Sequence, residues 1–199
     1  MPKTSINYDR SFVRYVKEQT EKMLFKYPKR LKHIKRVVKR AEKLAQTYHI
    51  DVKKVLVSAY LHDITKKWTN EEHIRYLNNN EALNYKKHPY YLHAASAAKY
   101  AKEKLLIDDE NVLNAIYYHS TGRTHMSDIE KIVLVSDMCE PKRKRWNPSK
   151  LYKLAKKDLD HALIQALHLK MSHFIELKVE PHENLQEAYD FYKEQIWVK

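Results

Sequence analysis

Apolar residues along the chain recur at steps of three and four, without β-type alternation, which places them on one face of successive helices. The prolines fall between these periodic stretches, where they punctuate helices rather than break them. The pattern predicts a first helix from about Asp9 to Phe25 and, after Pro28, a second beginning near Arg30. A third runs from about Val52 to Thr65. Pro89 precedes a helix from about Tyr91 to Leu105, and another spans about Asp109 to Ser120. Met126 to Met138 forms the next, closed by Pro141, and Pro148 opens a long helix to about Leu177. Pro181 precedes a last helix rich in Tyr and Glu. No repeat, low-complexity linker or domain boundary interrupts the pattern. It predicts one all-α domain.

Ionisable residues lie on these apolar stripes. His33 is in phase with Val37, Ala41 and Leu44, and Asp63 continues Val52, Leu56 and Ala59. His62 follows Val55 and Ala59, His93 is in phase with Ala97 and Ala101, and His119 continues Val112, Ala115 and Ile116. Asp137 lies four residues after Val133. A lone histidine on such a face is usually a hydrogen-bonded core residue. Two buried carboxylates are costlier, because they need a partner or a metal, and no Lys or Arg is in phase with either. One divalent cation, or two bridged by Asp63, at the helix junction would satisfy all six groups. Imidazole and carboxylate donors without thiolate suit Fe, Mn, Co, Ni or Zn in a hydrolytic site.

Composition adds limited information. The 199 residues, 43% of them hydrophobic, suit one sizeable core. No apolar run approaches the roughly 18–20 residues that span a bilayer, so no membrane partner is expected. Cys139 is the only cysteine, which fits a reducing, cytoplasmic setting. The net charge of +13 sets only the sign of a partner: taken alone it fits nucleic acid, a nucleotide polyphosphate or an anionic membrane surface without choosing between them. Gly122, the only glycine, lies between His119 and Arg123 and is expected to end a helix.

The segments RLKHIKRV, LHDITK, HPYYLHAASAA, AIYYHSTGR and IEKIVLVSDMCEP carry the order H…HD…H…H…D. In that order and context the chain resembles the YqeK-type HD-domain family, bacterial hydrolases that split diadenosine tetraphosphate symmetrically into two ADP. The resemblance implies a helical bundle over 29–178, with a helical extension (1–28) before it and a helical tail (179–199) after it. It implies one or two divalent transition-metal ions, iron first, held by His33, His62, Asp63 and Asp137. His93 and His119 would complete a second metal position or touch phosphate. Asp63 and Lys66 are the implied catalytic groups, with Arg30, Lys66, Thr121, Gly122 and Arg123 at the substrate and His88 lining the pocket. The expected reaction is attack of water on an inner phosphorus, with ADP leaving. Ile34, Thr65, Ser120 and Lys142 depart from the family's usual residues without removing a ligand.

Two rival readings are another nucleotide as substrate of the same HD site, and a non-catalytic basic RNA-binding module on a degenerate HD scaffold. The second predicts a damaged ligand set, and all six positions are intact. An added RNA-binding role and a homodimer are both compatible with the sequence, and the N-terminal helix is equally compatible with capping the core, gating the pocket or mediating dimer contacts.

Overall fold

A computed structural model describes residues 6–77, 82, 85 and 88–197; the outermost residues of the predicted extension and tail, 1–5 and 198–199, lie outside these. Among the described residues all regular structure is helical. The helices are α1 (Arg10–Met23), α2 (Pro28–Thr47), α3 (Val52–Leu61), α4 (Asn70–Leu77), α5 (Leu92–Lys104), α6 (Glu110–Tyr117), α7 (Asp128–Met138), α8 (Pro148–Ala155), α9 (Leu159–Glu176) and α10 (Glu183–Trp197). A short 3₁₀ turn, Pro89–Tyr91, leads into α5.

Their starts are written locally. Asp9, Asp51, Asp109, Asn147 and Asp158 each accept from backbone N–H groups of the first helical turn, satisfying donors that the helix leaves free. Ser127 and Glu130 form a full capping box at α7. Asp158 also explains a departure from expectation: the stretch from Pro148 to Leu177 is two helices, because Asp158 stops the first and caps the second. Helix α4 was not predicted. Its signal is the pair Thr69 and Glu72, whose side chains each bond the other's backbone N–H, a T-x-x-E capping box.

Of three buried hydrophobic clusters among the described residues, the two larger meet at the end of α3. One joins α2, α7, α8, α9 and α10 through residues such as Ile34, Leu44, Val133, Leu163 and Leu185. The other joins α1, α3, α5 and α6 through Val16, Leu61, Ala97, Val112 and Ile116. Helix α3 packs against α1, α2 and α6, and α2 against α7, so the end of α3 sits where both cores touch. That end is shorter than expected. After Leu61 the chain tightens into i→i+3 bonds, from Ile64 N to Leu61 O and from Lys66 N to Asp63 O. The tighter winding turns the adjacent His62 and Asp63 toward a common space.

Candidate metal centre

Six ionisable side chains from five helices and their ends converge at this junction. His62, Asp63, His93, His119 and Asp137 are buried, and His33 is 12% exposed at its side chain. Asp63 lies at the centre and uses its two oxygens differently. Oδ2 is 3.4 Å from His62 Nε2 and 3.5 Å from His33 Nε2. Oδ1 is 3.4 Å from His93 Nε2 and 3.8 Å from His119 Nε2. Asp137 Oδ1 lies 3.0 Å from His33 Nε2. The result is two three-residue groups, His33–His62–Asp63 and Asp63–His93–His119, with one carboxylate common to both.

The tautomers are set by backbone. His62 donates from Nδ1 to the Ala59 carbonyl at 2.7 Å, and His119 donates from Nδ1 to the Ile116 carbonyl at 2.7 Å. Each ring therefore turns Nε2 toward Asp63, and a hydrogen bond from the other ring nitrogen to backbone is what orients metal-binding imidazoles. His33 Nε2, His62 Nε2 and Asp63 Oδ1 are buried without a hydrogen-bond partner. Such orphaned atoms are costly unless something binds them. Ligands at about 2.0–2.2 Å from one ion cannot be more than about 4.4 Å apart, and the distances from Asp63 fall within that limit. The donor set fits a divalent metal.

Electrostatics keep four of the donors in ligand form. Burial alone would raise the Asp63 carboxyl, but His62, Arg30 and Lys66 together hold it well below the usual range. Asp137 is likewise held low against burial, by Arg143 first and then His33. Burial pulls His119 down to about 3, helped by His62, and burial with the Lys66 charge holds His93 well below its ordinary value. These four are a pair of carboxylates and a pair of neutral imidazoles.

A pH dependence follows for the metal-free protein. His119, His93 and His73 (pulled down to about 4, mainly by burial) stay neutral when folded, whereas in the unfolded chain they take up protons near pH 6.5. The unfolded state then binds more protons as pH falls, so stability drops. His62, raised by Asp63 against its own burial, opposes this with one group. The expected net loss between pH 7.5 and 5.5 is roughly 2–4 kcal/mol, at about 1.4 kcal/mol for each fully shifted histidine. Urea unfolding of chelator-treated protein at the two pH values measures it; equal stability at both would contradict it.

Above the histidines lies a cavity of about 220 Å³ walled by Arg30, Lys66, Ser120, Arg143 and Lys170, with Tyr90, Tyr91, Trp146 and Phe174 at its sides. Lys66 Nζ sits 3.0 Å from His93 Nδ1. Arg30 reaches Asp63 Oδ2 at 2.5 Å, and Arg143 grips both Asp137 oxygens while donating from Nε to the Asp137 carbonyl. The two buried carboxylates thus have arginine partners. The expectation that no basic residue neutralises them is corrected: the partners come from other elements, out of reach of any one-helix phase argument. Arg143 and Lys170 were not among the expected site residues. Lys170 donates to the Ser120 carbonyl at 3.1 Å, and burial pulls its ammonium down to about 8.

Four expected substrate contacts lie elsewhere. Arg123 turns away and forks onto the buried Glu130 carboxylate, at 2.7 and 3.0 Å. Gly122 does take the positive φ of +71° that ends a helix, and its N–H bonds the Tyr118 carbonyl. A Cβ on it would stand 3.1 Å from Leu167 Cδ2 and 3.3 Å from the Ala188 methyl. The glycine therefore serves close packing against α9 and α10, and directs only His119, not Arg123, to the cavity. Thr121 is buried beside it and does not line the cavity. His88 stacks near His182 and Tyr91, at ring-centre distances of 5.2 and 6.3 Å, outside the lining.

The HD domain family profile matches residues 30–163. Over 142 residues the chain is 37% identical to a symmetrical bis(5'-nucleosyl)-tetraphosphatase of Halalkalibacterium halodurans, covering 69% of this chain and 75% of that protein. A protein of the same description from Bacillus subtilis is 33% identical over 137 residues, covering 68% and 74%. The crystal structure of a Clostridium acetobutylicum protein, described as a predicted HD superfamily hydrolase involved in NAD metabolism, superposes with a TM-score of 0.84. It shares 31% identity and covers 96% of this chain and 99% of its own. No helix among the described residues is long and apolar enough to cross a membrane.

Proposed function

The chain belongs to the HD-domain family, and from that membership we propose that it hydrolyses diadenosine tetraphosphate symmetrically, releasing two ADP. The observation that carries the proposal is Asp63, shared between two pairs of buried histidines on the floor of a cavity with cationic walls. Relatives described as symmetrical bis(5'-nucleosyl)-tetraphosphatases support the choice of substrate.

In this reading His33, His62, Asp63 and Asp137 would hold one divalent ion, and His93 and His119 with Asp63 would hold a second. Such ions supply a water acidic enough to ionise near neutral pH and a Lewis acid for phosphoryl oxygens. Iron is our assignment, resting on the family resemblance; Mn, Co, Ni or Zn suit the same donors.

The chain's own groups do the rest. A polyphosphate brings several negative charges into a site of low polarity, where fixed cations act strongly. Lys66 and Lys170 present ammonium groups beside His93 and Ser120. Arg30 and Arg143 supply planar, permanently charged forks at the edge of the metal-binding carboxylates. Tyr90, 56% exposed, and Phe174 stand edge to face with centres 6.2 Å apart and offer an apolar wall to an adenine. The buried Cys139 thiol, pushed up to about 12 by burial, takes no part, and its unpaired state supports a cytoplasmic setting.

Turnover of the tetraphosphate in ¹⁸O-labelled water tests the route. One of the two ADP products should carry a single ¹⁸O on its terminal phosphate, the other none. Label at any other phosphate, or in neither product, would exclude attack of water at an inner phosphorus.

A further inference from the structure

The cavity over the histidines is too small for the whole substrate. Its volume of about 220 Å³ is below the roughly 300 Å³ at which pockets for a single drug-sized ligand begin. A dinucleoside tetraphosphate has a nucleoside at each end. The second half must lie outside.

A second hollow of about 310 Å³ opens directly beside the first. Arg30, Arg143, Trp146 and His173 are walls of both, so the two are lobes of one cleft. The outer lobe adds Lys142, Lys144 and Arg145 from the PKRKR segment. Its carboxylate, Glu140, is already bound to Arg36. Arg145 makes only a 3.5 Å exposed contact with Glu176. Among the described residues no carboxylate pairs with Lys142 or Lys144. His173 Nδ1, in the shared wall, is buried and has no hydrogen-bond partner. Trp146 is held firmly, its Nε1–H donating to the Met138 carbonyl at 2.9 Å while the Arg143 guanidinium lies 5.4 Å from its ring centre.

We propose that the outer lobe is the subsite of the departing nucleoside diphosphate, with Lys142 and Lys144 binding its phosphates. The inner lobe then keeps the attacked phosphorus and its own nucleoside, and Arg143 stands between the two diphosphate halves. Ammonium groups without a carboxylate partner, lining the same lobe as an orphaned imidazole nitrogen, form an anion site, and its adjacency to the metal centre fixes which anion it serves. A division of the substrate between two lobes joined at the middle of its phosphate chain also accounts for a cut at that middle. This inference rests on the proposed substrate.

The test is calorimetric titration of ADP into the manganese-loaded protein. Wild type should bind two ADP per chain, and Lys142→Ala/Lys144→Ala should bind one. A control, Lys104→Ala/Lys157→Ala, removes the same charge from the far end of α5 and the α8–α9 turn and should still bind two. In turnover, Lys142→Ala/Lys144→Ala should raise KM for diadenosine tetraphosphate about tenfold. One ADP per wild-type chain, or two on the Lys142/Lys144 variant with unchanged affinity, would overturn the subsite. If that occurs while wild type still yields only ADP, the subsite fails and the reaction stands. Two ADP sites, one lost in the variant, without ADP release from the tetraphosphate would keep the diphosphate subsite and remove the reaction.

Discussion

Asp63→Ala should lower kcat/KM by at least about 10³-fold and leave the protein with less than one bound metal per chain. The size follows from the position. Asp63 is the one residue in both candidate ligand groups, so the substitution takes a carboxylate from each position at once and leaves Asp137 as the one carboxylate beside the four histidines. Metal-ion stabilisation of the transition state is worth several kcal/mol, and each 1.4 kcal/mol is tenfold in rate. His33→Ala is the useful contrast. It removes a ligand from only one group, so one metal per chain should remain. Metal analysis after gel filtration, beside initial rates, reads both variants. An Asp63→Ala protein that keeps two metals or a tenth of its activity would refute the shared-carboxylate arrangement.

Arg123→Ala should reduce stability by about 3 kcal/mol, yet leave KM for the nucleotide within twofold of wild type. Glu130 is fully buried at its side chain, and among the described residues Arg123 is its only cationic partner. The Ser127 N–H also bonds it but adds no charge. Removing one member of a buried pair strands the other charge, at a cost of about 3–5 kcal/mol. The lower end applies here because Arg123 is 32% exposed at its side chain and water will reach the gap. For a chain of this length that is a melting-temperature loss of about 6–12 °C. Thermal unfolding and a KM determination at 20 °C separate this from a substrate contact, which would raise KM without lowering stability.

Arg123 shows where reading the sequence reaches its limit. The motif AIYYHSTGR placed it one turn from His119, and only the packing of Gly122 against α9 and α10 decides that the chain has turned away by then. The candidate ligand histidines and aspartates were legible because each continues an apolar stripe of its own helix. A polar residue that a 3.6-residue period forces into a core announces itself locally. Arg143 and Lys170 carry no such mark. Arg143 lies in a loop whose basic residues look alike, and its grip on Asp137 depends on how that loop folds back over the end of α7. Lys170 is one lysine on a long helix, distinguished only by a burial created by the rest of the bundle. Arg30 was expected at the substrate, but its contact with Asp63 crosses from α2 to the end of α3. The fold was readable in outline because helix caps and apolar period are local. Its two surprises, the break at Asp158 and helix α4, both carry local cap signals that a weaker apolar period had overshadowed.

The most direct test of the central claim is a chromatographic product profile. Protein loaded anaerobically with iron would be incubated with diadenosine tetraphosphate, alongside Asp63→Ala. ADP as the only product, absent with the variant, is the predicted result and places the cut at the middle of the phosphate chain under control of the metal centre. AMP and ATP in equal amounts, or ADP formed equally well by the variant, would contradict it.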